Sequence, residues 1–186
     1  MGITNSVIQT LGYGEADSNL DLATGMTRRQ KNLVKKSWVL MRSHQKENGV
    51  ALFVLLFTRY PHQQDYFQLF RCARLEDLEV SPAMRAHGTT VMATIGSFVD
   101  NLDDAECLVD LVQKMAKNHL GRGIPITSFE YLRSLFSYFL EERLGEQATP
   151  EIKESWDRFL LVMNSLVEME AQRLAAMGEC VYFSQT

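Results

Sequence analysis

The histidines His87 and His119 are the residues of this chain whose types and spacing best suit metal chemistry. They lie 32 positions apart, and each falls on the apolar face of its own predicted helix, where aliphatic side chains normally pack against a core. Neutral imidazole is the commonest metal ligand in proteins. Two inward imidazoles on facing helices therefore predict a metal held between them.

Local signals define the two helices that carry these histidines. The first is predicted to begin at Ser81 as the N-cap, with Pro82 in the first helical position. Apolar residues then recur at steps of three and four in both segments, which places each imidazole on the buried stripe. The first stripe contains Met84, His87, Val91, Ile95, Phe98 and Leu102, and the second contains Leu108, Leu111, Val112, Met115 and His119.

A single inward histidine is more often a core residue that hydrogen-bonds a neighbour than a metal ligand. The pair favours the ligand interpretation, because the sequence has no Cys-x-x-Cys or His-Glu-x-x-His pattern to form a rival site. A mononuclear non-haem iron site would need a carboxylate beside two histidines. One histidine from each of two facing helices instead suits axial ligation of a planar cofactor.

The segment before the first histidine resembles the globin family. An apolar helix is followed by a proline that opens a short helix, then by a phenylalanine six residues on, and then by the two histidines in order. The match runs from about Met26 to Ala176, and it rests on Trp38, Val50, Phe53, Val54, Phe57, Pro61, Phe67, Phe70, His87 and His119.

This resemblance implies an all-α globin fold of about eight helices, arranged as a three-over-three sandwich around haem b (iron protoporphyrin IX). It implies that His119 is the proximal ligand, with its second ring nitrogen bonded to a carbonyl near Met115. It also implies that His87 is the distal residue. The walls of the distal pocket would be formed by Phe53, Phe67 and Val91, and Ile124 would touch the ring edge. Arg122 would pair with a haem propionate or remain solvated.

The strings QDYFQLF and LEDLEVSPAMRAHG, together with the histidine spacing, look more like globin X, cytoglobin and neuroglobin than muscle or blood globins. This resemblance implies a hexacoordinate, bis-histidyl resting state and reversible binding of O₂, CO or NO. One alternative function is a membrane-associated redox protein that reduces nitrite or dioxygenates NO with an unknown reductase. A second alternative is a haem-free helical module that binds an apolar partner.

Two glycines inside predicted helices, Gly49 and Gly88, indicate a close helix crossing. Glycine costs about 1 kcal/mol relative to alanine inside a helix. That cost usually accompanies a close approach of two backbones. The globin resemblance implies such a crossing between these two helices.

Length and composition fit one domain. The chain has 186 residues, 46% hydrophobic and 23% charged, with a net charge of −4, which argues against a nucleic-acid binder. We predict an N-terminal extension over 1–25, a globin domain over 26–176 and a tail over 177–186, both ends being flexible. Capping patterns predict helix starts at Thr27 with Gln30, at Thr127 with Glu130, and at Thr149.

The N-terminal residues MGITNS match the M-G-x-x-x-[ST] pattern for myristoylation at Gly2. Globin X proteins carry a palmitoylated cysteine after this glycine, but this chain has Ile3 there. A basic patch would then supply the second membrane signal, through Arg28, Arg29, Lys31, Lys35 and Lys36. Three cysteines without framework spacing, Cys72, Cys107 and Cys180, indicate a reducing compartment. We therefore expect a cytoplasmic protein that attaches to the inner face of the plasma membrane through N-myristoylation.

Overall fold

The structure, a computed structural model, describes residues 20–179 and 181–182. Within these ranges the chain is all-helical, as predicted, and a single isolated bridge between Leu20 and Thr27 is the only β pairing. Predictions that concern Gly2 and Cys180 lie outside the described residues. The α-helices are α1 (Arg28–Arg42), α2 (Gln45–Arg59), α3 (Leu75–Val80), α4 (Pro82–Asp100), α5 (Ala105–Leu120), α6 (Thr127–Leu144) and α7 (Pro150–Ala176), and the 3₁₀ helices are Pro61–Tyr66 and Gly145–Gln147.

Side-chain caps fix the starts of three long helices where the sequence predicts them. The Thr27 hydroxyl accepts a hydrogen bond from the Gln30 N–H at 3.1 Å, and the Gln30 side chain completes the capping box. Ser81 caps α4 at Met84 N, and Thr149 caps α7 at Ile152 N. Each cap satisfies a backbone donor that the first helical turn leaves without an intrahelical partner.

The capping box predicted at Thr127 is wrong. Helix α6 has Ile126 at its N-cap, in a helical conformation, and no side chain caps it. The chain already turns before Thr127, because Ser128 N donates to Pro125 O and Phe129 N donates to Ile126 O. Thr127 therefore lies within the first turn, and the Glu130 carboxylate accepts a hydrogen bond from Asn164 Nδ2 at 2.7 Å instead.

Two groups of helices pack across one hydrophobic core. Helix α7 contacts α1, α5 and α6, while α2 contacts α4 and α6. The rings of Trp38 in α1 and Trp156 in α7 lie at the centre of the core, 5.7 Å apart, and both side chains are buried. This arrangement leaves α4 and α5, the two histidine-bearing helices, on either side of the same interior space.

The close crossing of α2 and α4 occurs at Gly49 and Gly88, as predicted. A Cβ atom added to Gly88 would lie 2.7 Å from the Gly49 carbonyl carbon, and one added to Gly49 would overlap the Gly88 backbone. The two main chains thus touch directly, with no room for a side chain between them. Because Phe53 follows Gly49 by one turn and His87 precedes Gly88, this contact also sets the spacing of two residues predicted to form the site.

Residues 20–27 fold back onto the helical core instead of leading away from it. The buried Lys31 ammonium pairs with Asp21 and donates to Leu102 O at 2.7 Å, and its proximity lowers the pKa of the Asp21 carboxyl. Arg158 Nε donates to Gly25 O at 3.1 Å. Lys31 is therefore unavailable to the predicted basic patch, and Lys35 is engaged by Asp103. Both lysines are paired because they lie where α1 faces the turn after α4, which contains Leu102 and Asp103.

The described end of the chain returns to the turn between α5 and α6. Ile126 N donates to Tyr182 O at 3.2 Å, and Val181 packs against the core. The predicted boundaries of the extension, the domain and the tail remain a prediction. Among the residues that the structure describes, no helix is both long and apolar enough to span a membrane.

The glycine crossing predicts that Gly88→Ala destabilises the protein, although alanine is the better helix former. Propensity alone would stabilise the helix by about 1 kcal/mol, whereas forcing a methyl group into a packed interface costs about 1–3 kcal/mol. We expect a net loss of up to about 2 kcal/mol in the free energy of unfolding, measured by urea denaturation. Ala93→Gly, at an exposed site on α4, is the control for propensity. A more stable Gly88→Ala protein would contradict the tight crossing.

Candidate functional site

His87 and His119 line one apolar cavity of about 90 Å³ between α4 and α5. The four other residues predicted to contact a cofactor lie with them on its walls. Helices α2, α4, α5 and α6 and the first 3₁₀ helix all contribute, so the site forms only when the whole fold is assembled. The complete lining is Phe53, Leu56, Gln63, Tyr66, Phe67, His87, Val91, His119, Ile124, Ser128, Phe129 and Leu132.

The orientation of the His119 ring is fixed by its own helix. Its Nδ1 lies 2.8 Å from Met115 O, one turn earlier, as the sequence predicts, and Phe129 packs against the ring at 5.5 Å. A carbonyl oxygen can only accept, so the proton is on Nδ1 and the lone pair is on Nε2. The nitrogen that can bind a metal is thereby left free.

Burial keeps the His119 imidazole neutral. Desolvation is the main cause that lowers its pKa, and the charge of Arg122 lowers it further. The hydrogen bond to Met115 opposes this shift but does not cancel it. Because a metal binds the neutral ring, the environment holds His119 in the form that ligation requires.

The His87 ring lies among phenylalanines. Ring-centroid distances are 4.7 Å to Phe53, 5.4 Å to Phe67 and 6.1 Å to Phe70. Its Nε2 is buried and has no hydrogen-bond partner among the described residues. An unsatisfied buried nitrogen carries a desolvation penalty of about 1–3 kcal/mol, so this atom is placed for a partner that the protein itself does not supply.

The pKa of His87 is also lowered. Burial is the largest cause, followed by the charges of His119 and Arg122. A charge on the His119 ring therefore disfavours protonation of His87, as expected for two imidazoles that line the same cavity. Both rings are neutral in this environment and both can act as donors of an electron pair.

Sequence reasoning missed several lining residues. Phe129 and Leu132 could have been found, because they lie at a three-residue spacing on the inner face of α6. Gln63 and Ser128 had no such signal, since both are polar residues, one in a short 3₁₀ helix and the other in the first turn of α6. Gln63 is only 1% exposed, and buried atoms of both side chains, Nε2 and Oγ, have no partner among the described residues.

The residues present fit haem. Two neutral imidazoles at one cavity can supply axial ligands, and the remaining walls are mostly aromatic or aliphatic, as a porphyrin face requires. Arg122 follows His119 by three residues, and its charge reaches both imidazoles.

Comparison with known proteins gives matches over most of the chain. The globin family model matches residues 40–166. A globin from Tritia mutabilis is 32% identical over 142 residues, which cover 75% of this chain and 97% of that protein. A globin from Buccinum undatum is 35% identical over 141 residues, which cover 74% of this chain and 96% of the relative.

The fold comparison gives the same result. A solved structure of ferric myoglobin from Aplysia limacina with azide superimposes with a TM-score of 0.70 at 22% identity, covering 76% of this chain and 96% of the myoglobin. At this identity the match concerns the fold alone, whereas the sequence matches above concern ancestry. The chain therefore belongs to the globin family.

Proposed function

We propose that the chain binds haem b through His119 and reversibly binds O₂ and other diatomic ligands, with His87 as a second axial ligand at rest. One observation carries this proposal: two neutral imidazoles line a single apolar cavity, and one of them has a buried Nε2 without a hydrogen-bond partner among the described residues. A hydrogen-bonded core histidine, the alternative weighed from the sequence, would have its buried nitrogen satisfied.

The two histidines have different roles because they are held differently. Haem supplies the iron that binds the diatomic ligand. His119 is fixed by its hydrogen bond to Met115 O, which suits a permanent ligand. His87 packs against the Phe53 ring, and its Nε2 has no hydrogen-bond partner among the described residues, so this imidazole would be free either to bind the iron or to hydrogen-bond a small ligand in the cavity.

The bis-histidyl state is the finer part of the proposal. It is supported by the unpartnered Nε2 of His87 and by the resemblance to globin X, cytoglobin and neuroglobin. If the open form is about 1% populated, the apparent ligand affinity falls about 100-fold relative to the open pocket. In that state His87 would compete with diatomic ligands for the iron.

A redox function is the second candidate. A centre that keeps two imidazole ligands changes little in structure when an electron is transferred, and ferric Aplysia limacina myoglobin accommodates the small anion azide. Nitrite reduction or NO dioxygenation with a reductase of unknown identity is consistent with the same cavity. Turnover assays with nitrite or NO and a reductant distinguish this function from ligand storage.

We also propose that the protein is cytoplasmic and is N-myristoylated at Gly2, with attachment to the inner face of the plasma membrane. The support is the M-G-x-x-x-S pattern and the exposure of Arg28, Arg29 and Lys36 on α1. One acyl chain gives marginal membrane binding, with an association constant of about 10⁴ M⁻¹. Each exposed basic residue near an anionic surface adds about 1 kcal/mol.

Replacing His119 tests haem ligation. Changes to outer partners of a metal ligand alone cost about 10–100-fold in affinity, so we expect His119→Gly to weaken haem binding by at least about 100-fold. The measurement is the Soret absorbance per chain, and added imidazole should restore it by occupying the space of the lost ring. His44→Ala removes an exposed histidine and is the control. Full haem retention without imidazole would refute the role of His119.

Replacing His87 tests the resting state. We expect His87→Leu to convert a low-spin ferrous spectrum into a high-spin one and to raise the apparent CO affinity by about 100-fold, if the open form is about 1% populated. His62→Leu changes a half-buried histidine outside the cavity and should alter neither property. An unchanged spectrum in His87→Leu would mean that the resting iron is not bis-histidyl.

Replacing Gly2 tests lipidation. Protein made together with an N-myristoyltransferase should gain the mass of one myristoyl group, and Gly2→Ala should abolish that gain. Two variants at Ser6 test whether the transferase also requires the last position of the pattern. Ser6→Thr keeps the pattern and Ser6→Ala breaks it. Intact-mass spectrometry distinguishes these results, and an unmodified wild type would rule out this form of anchoring.

A further inference from the structure

A second cleft, of about 480 Å³, lies on the outer face of α2. Its volume falls in the range of about 300–1,000 Å³ typical of small-molecule sites, and it shares no residue with the cavity that contains the histidines. Val50, Ala51, Val54 and Leu55 form its floor. Because these four side chains also pack on the core, the cleft is part of the fixed structure of the protein.

The shape of the cleft suits a linear alkyl chain. Its lining follows one face of α2 from Lys46 to Thr58, and twelve residues of helix span about 18 Å. Glu79 of α3, Arg85 of α4 and Glu142 of α6 form the walls. The result is a narrow apolar strip between charged side chains, about as long as an extended myristoyl group.

We propose that this cleft holds the myristoyl group attached to Gly2 of the same chain. The inference rests on the lipidation proposed above. Because the acyl chain can occupy either the cleft or a bilayer, the cleft makes membrane attachment an equilibrium between a tucked and an exposed state.

The N-terminal segment is long enough for this contact. Eighteen peptide units separate Gly2 from Leu20, and they can span at most about 60 Å. Leu20 is bridged to Thr27 at the start of α1. The cleft begins beyond the far end of this helix, whose 15 residues measure about 22 Å. The segment can therefore cover this distance and still place Gly2 at either end of the cleft.

The equilibrium has a measurable consequence. A fully exposed myristoyl group binds membranes with an association constant of about 10⁴ M⁻¹. If the tucked state is about 90% populated, the apparent constant falls about ten-fold, because only the exposed fraction binds. Filling the cleft should restore the higher value without any change at Gly2.

The experiment compares three full-length proteins made together with an N-myristoyltransferase: the wild type, Val54→Trp and Val39→Trp. Val54 is on the cleft floor, whereas Val39 is 66% exposed on α1 and makes the matched control. Neutral phosphatidylcholine vesicles are used, so that basic residues contribute little. We expect Val54→Trp to sediment with vesicles about ten-fold more strongly than the other two.

Thr58→Trp provides a second variant, because Thr58 lies exposed at one end of the cleft and its replacement does not disturb the core. Circular dichroism verifies that each variant is folded. If Thr58→Trp also binds vesicles more strongly, the cleft assignment is supported. Equal vesicle binding by all acylated, folded proteins would overturn it and leave lipidation intact.

Failure of the lipidation proposal has a different signature. If the wild type gains no mass, both the lipidation of Gly2 and the proposal that its myristoyl group occupies the cleft are overturned. Free myristate is then added to the unmodified protein. Binding that Val54→Trp abolishes would assign the cleft to a lipid taken from solution, and an absence of binding would show that the cleft takes no acyl chain.

Discussion

The direct contact between the backbones at Gly49 and Gly88 is the constraint on which the rest of the site depends. Two helices can approach this closely only where both lack a side chain. Phe53 and His87 stand next to the contact, and their rings are 4.7 Å apart. The distance between two main chains therefore determines how the aromatic walls enclose the His87 imidazole.

Burial and hydrogen bonding together prepare the two histidines. Desolvation lowers the pKa of both rings, so each presents a lone pair at neutral pH. The rings differ in what holds them: His119 is hydrogen-bonded to Met115 O, while Nε2 of His87 has no hydrogen-bond partner among the described residues. One imidazole is thus fixed by a backbone hydrogen bond, whereas the Nε2 of the other has no such bond among the described residues.

Helix α2 connects two surfaces of different character. Phe53 faces the cavity with the histidines, and the next residue, Val54, lies on the outer cleft. The side chains on both faces are apolar over these turns, but Phe53 is buried whereas Val54 is partly exposed. Helix α2 therefore forms a wall of both the histidine cavity and the outer cleft.

The sequence by itself determined the helices, most of their caps and the stripe position of both histidines, because these depend on periodicity and on contacts within four residues. It also indicated the glycine crossing, because glycine is unfavourable inside a helix and usually marks a close approach of two backbones. Only the tertiary structure decided that Lys31 is buried against Leu102 O and that Gln63 and Ser128 line the cavity. These outcomes depend on which distant segments meet, and that is set by the packing of the whole core, which no local pattern encodes.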